Sequence, residues 1–119
     1  VTRAERAAKK PRRGAPKSRA LFWTDRAIRD LDEIADHIAR DNQAAAERWI
    51  AILMKTAEHA TTIPLAGRRV PEIGRDDVRE VFKRTYRIVY RVRDGRVEVL
   101  TVFEGRRTFP ADIGAEDNQ

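Results

Sequence analysis

Five arginines, Arg79, Arg84, Arg87, Arg106 and Arg107, stand among alternating apolar residues in the last third of the chain. A guanidinium holds an anion through two parallel N–H bonds, so such residues can grip a phosphate or steady charge that builds on one. They are poor proton shuttles, because their pKa is so high. Metal-free cleavage of RNA would also need one group to take the 2′-hydroxyl proton and another to protonate the leaving oxygen. Candidates for that work are few. Tyr86 and Tyr90 fall by pattern on a buried face, and Lys83 is the only lysine after Lys55. Of the other ionisable groups in this half, Glu80 and Glu104 would have to be considered. His37 and His59 lie in helical sequence without cysteine or an HExxH spacing, so no metal site is assigned. Ser18 is the only serine, and none of the six glycines falls in a GxGxxG or GxxxxGK spacing. No catalytic residue and no cofactor follow from the residues. The plain alternative for each arginine is a solvated strand residue, some of them ion-paired as Arg91 would be with Glu98.

The element that must position these arginines is a hairpin about Asp94-Gly95, a pair that tolerates the positive φ of a tight two-residue turn. An unbroken register from Arg93 opposite Arg96 pairs Val92 with Val97, Tyr90 with Val99, Ile88 with Thr101 and Tyr86 with Phe103 on a core face. The opposite face then carries Arg91 with Glu98, Val89 with Leu100 and Arg87 with Val102. That face is half apolar and needs a cover. A partner segment is expected on Val89, Arg91, Leu100 and Val102, unless Phe109 and Ile113 fold back to take its place.

Before the hairpin, Arg19 to Thr24 reads as a strand with Leu21 and Trp23 on one side and Phe22 on the other. Thr24 caps a helix with Ile28, Leu31, Ile34 or Ala35, and Ile38 on its apolar stripe. Asn42 caps a second helix, with Ala45 or Ala46, Trp49, Ile52 or Leu53, Thr56 and Ala60 on its stripe, ending before Pro64. Residues 65–76 read as an ordered loop, followed by a strand from about Val78 to Lys83 that turns near Arg84-Thr85. The order β-α-α-β-β-β predicts an α+β fold, a helical hairpin packed on one face of a small, mostly antiparallel sheet.

The chain has 119 residues, enough for one small domain. Its net charge of +6 is misleading, because residues 1–18 hold seven of the 25 Lys/Arg and only one acid. That stretch reads as a disordered basic extension, or as an arm giving weak, sequence-blind attraction to nucleic acid. Residues 19–109 form the domain, and residues 110–119 an acidic tail. Within the domain, residues 64–109 carry twelve basic and seven acidic groups, so the sheet half is the cationic half. The absence of cysteine fits a reducing cytoplasm, and no apolar run approaches the roughly 20 residues that span a bilayer.

The segments LFWTDRAIRDLDEIADHIARDN, IPLAGRRVPEIGRDDVREV, TYRIVYRV and VLTVFEGRRTFP, in this order, resemble the RelE/ParE superfamily of toxins from bacterial type II toxin-antitoxin modules. The likeness covers Ala20 to Pro110. It implies a toxin neutralised by a small antitoxin with an acidic C-terminal segment. RelE-like members are ribosome-dependent mRNA endonucleases, whereas ParE-like members poison DNA gyrase by binding. The ParE side fits better, because RelE-type toxins carry lysines on the second strand and an aromatic hydroxyl beyond the last one. Here that strand reads Val78-Arg79-Glu80-Val81, and Phe109 is the only aromatic past Phe103. Arg87 and Arg107 match basic positions recurrent in the superfamily, so the resemblance places them, with Arg79, Arg84 and Arg106, on the target-binding surface. Two positions depart from the pattern: Glu104 stands where ParE-like sequences often have His, and the basic extension before Arg19 is not typical. The expected function is therefore gyrase inhibition without catalysis. The alternatives are a ribosome-dependent mRNA endonuclease, or an interaction domain that keeps the fold without toxicity.

Overall fold

In a computed structural model, which describes Ala4 and residues 20–114, the elements are β1 (Ala20–Trp23), α1 (Asp25–Ala39), α2 (Gln43–Ala60), β2 (Arg68–Arg69), β3 (Val78–Lys83), β4 (Tyr86–Arg93) and β5 (Arg96–Glu104). A 3-10 turn, Pro64–Ala66, precedes β2. The five strands form one sheet in the order β1-β5-β4-β3-β2, antiparallel except where β1 runs parallel to β5. Arg68-Arg69 therefore closes one sheet edge, inside the stretch expected to be loop.

Thr24 joins the sheet to α1 with both ends of its side chain. Its hydroxyl accepts from the Ala27 amide at 3.1 Å and donates to the Val99 carbonyl at 2.8 Å, so the helix cap is also a tether to β5. Asn42 caps α2 in the same way, accepting from the Ala45 amide at 2.9 Å. Ala27, Ile28, Leu31 and Ala35 of α1 meet Ala46, Ile50, Leu53, Met54 and Ala57 of α2, and both helices bury these faces on Ile88, Val99 and Val102. On α2 the buried stripe runs through Ile50, Met54 and Ala57, so Trp49 and Thr56 lie at its margin instead of its centre. Ala4 also belongs to this cluster: it is fully buried, and its amide points to Asp32 at 3.4 Å. One residue of the basic extension thus packs on the core. The rest of that extension and residues 115–119 fall outside the described residues.

The hairpin turns at Gly95, with φ of 73°, and its register holds from Arg93–Arg96 to Tyr90–Val99. It then shifts by one. Leu100 and Thr101 together oppose Val89, and beyond them Ile88 faces Val102, Arg87 faces Phe103 and Tyr86 faces Glu104. This is a β-bulge, and one inserted residue moves every following side chain on β5 to the other face. Asp30 on α1 anchors it, accepting from the Thr101 hydroxyl and from the Val102 amide at 3.3 Å. The unbroken register is therefore corrected. Val102 joins the helix-side core, and Phe103 takes the place expected for it on the second face.

That second face has its own cover. Val78, Val89, Leu100 and Phe103 pack beneath Val70 and Ile73 of the loop and beneath Phe109 and Ile113 of the C-terminal segment. Phe109 meets Phe103 edge-on at 5.6 Å. Among the described residues no helix is long and apolar enough to cross a membrane.

Candidate functional site

Glu80 on β3 points to the second face with its side chain fully buried, a position where an isolated carboxylate would be costly. Two arginines compensate it. Arg87 Nε donates to one carboxylate oxygen at 2.7 Å, and Arg68 donates to the other at 2.8 and 2.5 Å. The far end of Arg87 forms a two-bond fork with Glu72, 2.9 Å on each arm. Phe82, Phe103 and Phe109 surround the guanidinium, with ring centres 5.9, 5.3 and 5.2 Å away. The Arg87 side chain is 7% exposed. The expectation that Arg87 presents itself to a target is corrected: cross-strand neighbours turn it onto a structural carboxylate.

The hydrogen bonds from Arg87 hold the Glu72 carboxyl down to about 2. At the surface, the Thr85 hydroxyl, followed by the Arg106 amide and side chain, holds Glu104 at about 2 as well. A carboxylate whose folded-state pKa is depressed contributes stability above its unfolded value and loses it as the pH falls through the folded one. Stability is therefore expected to decline between about pH 4.5 and about pH 2, with these two groups among its causes. Glu72→Gln should flatten that decline in acid-unfolding curves followed by circular dichroism. An unchanged slope would count against the fork.

Arg79 is committed to structure as well. It donates to the carbonyls of Asp76, Leu65 and Gly67 at 2.8, 3.3 and 3.2 Å, closing the loop that precedes β3. Arg91 pairs with Glu98 at 2.6 Å, as expected. Arg93 and Arg96 reach the same carboxylate, at 3.2 and 2.9 Å. Val89, Leu100 and Val102 are at most 3% exposed, so the open apolar strip expected for a partner is closed by the chain itself. The register break and the folded-back C-terminal segment are the reasons.

The remaining arginines come together. Arg84 lies in the β3–β4 turn with its guanidinium 5.7 Å from the Trp49 ring centre, and Thr85 in that turn accepts from the Gly105 amide at 2.6 Å. Arg106 and Arg107 follow Gly105 directly and line a cleft of about 890 Å³ between α1 and the end of β5. His37, Arg40 and Tyr86 line it too, with Arg26, Asp30, Glu33, Asp36, Glu104 and Asp112. Sequence reasoning set His37 and Tyr86 aside. His37 sits on an exposed turn of α1 whose neighbourhood only the packing of the helix on the sheet reveals. Tyr86 is packed on Trp49 at 5.8 Å and only partly buried, and desolvation followed by Glu104 raises its pKa, so it stays a protonated donor. Tyr90, by contrast, is buried and donates to the Pro64 carbonyl at 2.6 Å. His59 is exposed on α2, away from this cleft lining.

The basic end can hold an anion or a charged macromolecular surface, whereas the cleft beside it is lined by carboxylates as well as arginines. Among the described residues no three histidine, aspartate or glutamate side chains are grouped to bind a metal ion. A protein of Sinorhizobium fredii named "Putative toxin Y4kP" is 37% identical over 93 residues, which are 76% of this chain and 92% of that protein. Two solved structures share the fold. The chromosomal ParDE toxin-antitoxin system from P. aeruginosa matches with a TM-score of 0.62 and 21% identity, over 73% of this chain and 96% of the other. The toxin-antitoxin complex RelBE2 from Mycobacterium tuberculosis matches with 0.54 and 22%, over 73% and 91%. The family model described as "ParE toxin of type II toxin-antitoxin system, parDE" matches residues 21–109, which hold both helices and all of the sheet but its first residue, and the chain belongs to that family of toxins.

Proposed function

We propose that this protein is the toxin of a cytoplasmic toxin-antitoxin pair, neutralised by a small antitoxin with an acidic segment, and that it acts by binding DNA gyrase without cutting RNA. The observation that carries the proposal is the state of Glu80. On the second face, where β3 could have offered a proton-transfer group beside Arg87, the carboxylate is fully buried and bonded to two guanidiniums. A carboxylate held this way is committed to its two guanidiniums and cannot turn to a substrate hydroxyl without breaking those bonds. Gyrase poisoning asks only for tighter binding to one state of the enzyme, which arginines on a shaped surface can supply. The surface that serves it is the basic end, with Arg84, Arg106 and Arg107.

One observation favours a second reading, metal-free cleavage of mRNA. The cleft brings His37 and Tyr86, an imidazole and a protonated phenol, together with Arg106 and Arg107. Induced without an antitoxin, the protein is expected to arrest growth by stalling replication. The purified toxin should inhibit gyrase supercoiling and leave mRNA intact on translating ribosomes. Codon-positioned cuts that vanish in His37→Ala and Tyr86→Phe, with supercoiling untouched, would replace gyrase by the ribosome. Absence of both effects would leave a non-toxic interaction domain.

A further inference from the structure

Two basic dipeptides far apart in the sequence, Lys83-Arg84 and Arg106-Arg107, meet at one end of the sheet. The pairing of Tyr86 with Glu104 and the bond from the Gly105 amide to the Thr85 carbonyl bring the two turns together. Residue 105 must lack a side chain for this to happen, since a Cβ there would stand 2.8 Å from that carbonyl and 3.1 Å from Cγ of Arg87. Arg84 is also the one non-glycine residue of positive φ, 53°, among those described. That conformation costs free energy in any residue with a Cβ, and strain of this kind gathers at functional sites. Here it presents an arginine at the tip of a turn.

The charge at this end is poorly compensated. Glu104 is engaged by Thr85 and Arg106. Lys83, Arg84 and Arg107 are exposed, and none of them is ion-paired with a described carboxylate, although Arg107 lines the cleft that Asp30, Glu33, Asp36 and Asp112 also line. An acidic peptide would want an apolar anchor beside the cations. Behind the Arg84 turn the Trp49 ring is already taken up by Arg84 and Tyr86, and the half-exposed Phe82 ring beside Lys83 is taken up by Arg68 and Arg87. A polyanion with regularly spaced charges needs no such anchor.

We propose that the joined turns are a clamp for the phosphodiester backbone of duplex DNA, with Lys83, Arg84 and Arg107 as its contacting cations and Gly105 as the residue that lets the two halves meet. The choice of DNA rests on the gyrase reading; the clamp rests on the geometry. The toxin would then touch the DNA as well as the enzyme that holds it.

The test is fluorescence anisotropy of the full chain with a labelled mixed-sequence DNA duplex across a salt series. Lys83→Gln, Arg84→Gln and Arg107→Gln are each expected to weaken binding and to reduce the log–log salt slope by about 0.9, the increment for one phosphate contact. Arg29→Gln and Arg48→Gln, exposed arginines elsewhere, should leave both unchanged and so control for the general loss of one positive charge. Gly105→Ala should weaken binding without removing any charge, its fold checked by circular dichroism. Equal losses at the clamp and control arginines would overturn the proposal. So would effects of the clamp variants on a labelled polyglutamate peptide but not on DNA, which would mark an acidic protein surface instead. Supercoiling assays separate the two ideas: clamp-dependent DNA binding without gyrase inhibition sinks the gyrase reading alone. Inhibition with DNA binding indifferent to these variants sinks the clamp alone.

Discussion

Replacing Arg87 with alanine is expected to lower the unfolding free energy by about 3–5 kcal/mol, the cost of leaving one member of a buried ion pair without its partner. Glu80 would keep Arg68, but that side chain is 58% exposed and contributes less than the buried Arg87–Glu80 pair. The lower end of the range is therefore the better expectation. Arg87→Lys should fall between, since an ammonium keeps the charge and loses the planar fork shared by Glu72 and Glu80. Substituting the pair together, Arg87→Met with Glu80→Leu, should cost less than Arg87→Ala alone, because the charges left without a partner, Arg68 and Glu72, are both exposed and no buried charge is stranded. Urea unfolding followed by circular dichroism measures all three. Were Arg87→Ala to remain within ±0.5 kcal/mol of the parent while toxicity disappeared, Arg87 would face a target and not a carboxylate.

Leu100→Ala should cost about 2–5 kcal/mol in the free toxin, the range for a buried leucine truncated where its surroundings cannot close the gap. Leu100 is 3% exposed and sits beneath Ile113 and the Phe103–Phe109 pair, with β5 bulged at its position. The effect should appear in the isolated chain at every antitoxin concentration. A variant as stable as the parent, yet deficient in antitoxin binding, would instead mean that the C-terminal segment lifts away and that Leu100 is partner surface.

Much of the architecture was legible in the sequence because it rests on local rules. Thr24 and Asn42 cap helices by a hydrogen bond three residues ahead, and Gly95 takes the positive φ that a tight hairpin demands. These signals lie within a few residues of the structures they produce. The order of strands and helices followed, and so did the resemblance that the family match bears out.

Only the tertiary structure decided which side of the sheet each residue after Leu100 would occupy. Period-two alternation carries no mark of a bulge, and the residue that anchors this one, Asp30, lies 71 positions from Thr101. A one-residue slip there sent Val102 to the helices and Phe103 to the other face. The fates of the five arginines were equally invisible, since a guanidinium looks the same in sequence whether it meets a carboxylate or water. Arg87 found Glu72 and Glu80, Arg79 found backbone carbonyls, and Arg84, Arg106 and Arg107 were left at one end of the sheet. Residue types and local spacing determined that the sheet half would be cationic. Long-range pairing decided which of those charges became structure and which stayed open to a partner, because burial of a charge depends on neighbours that the chain brings together only by folding.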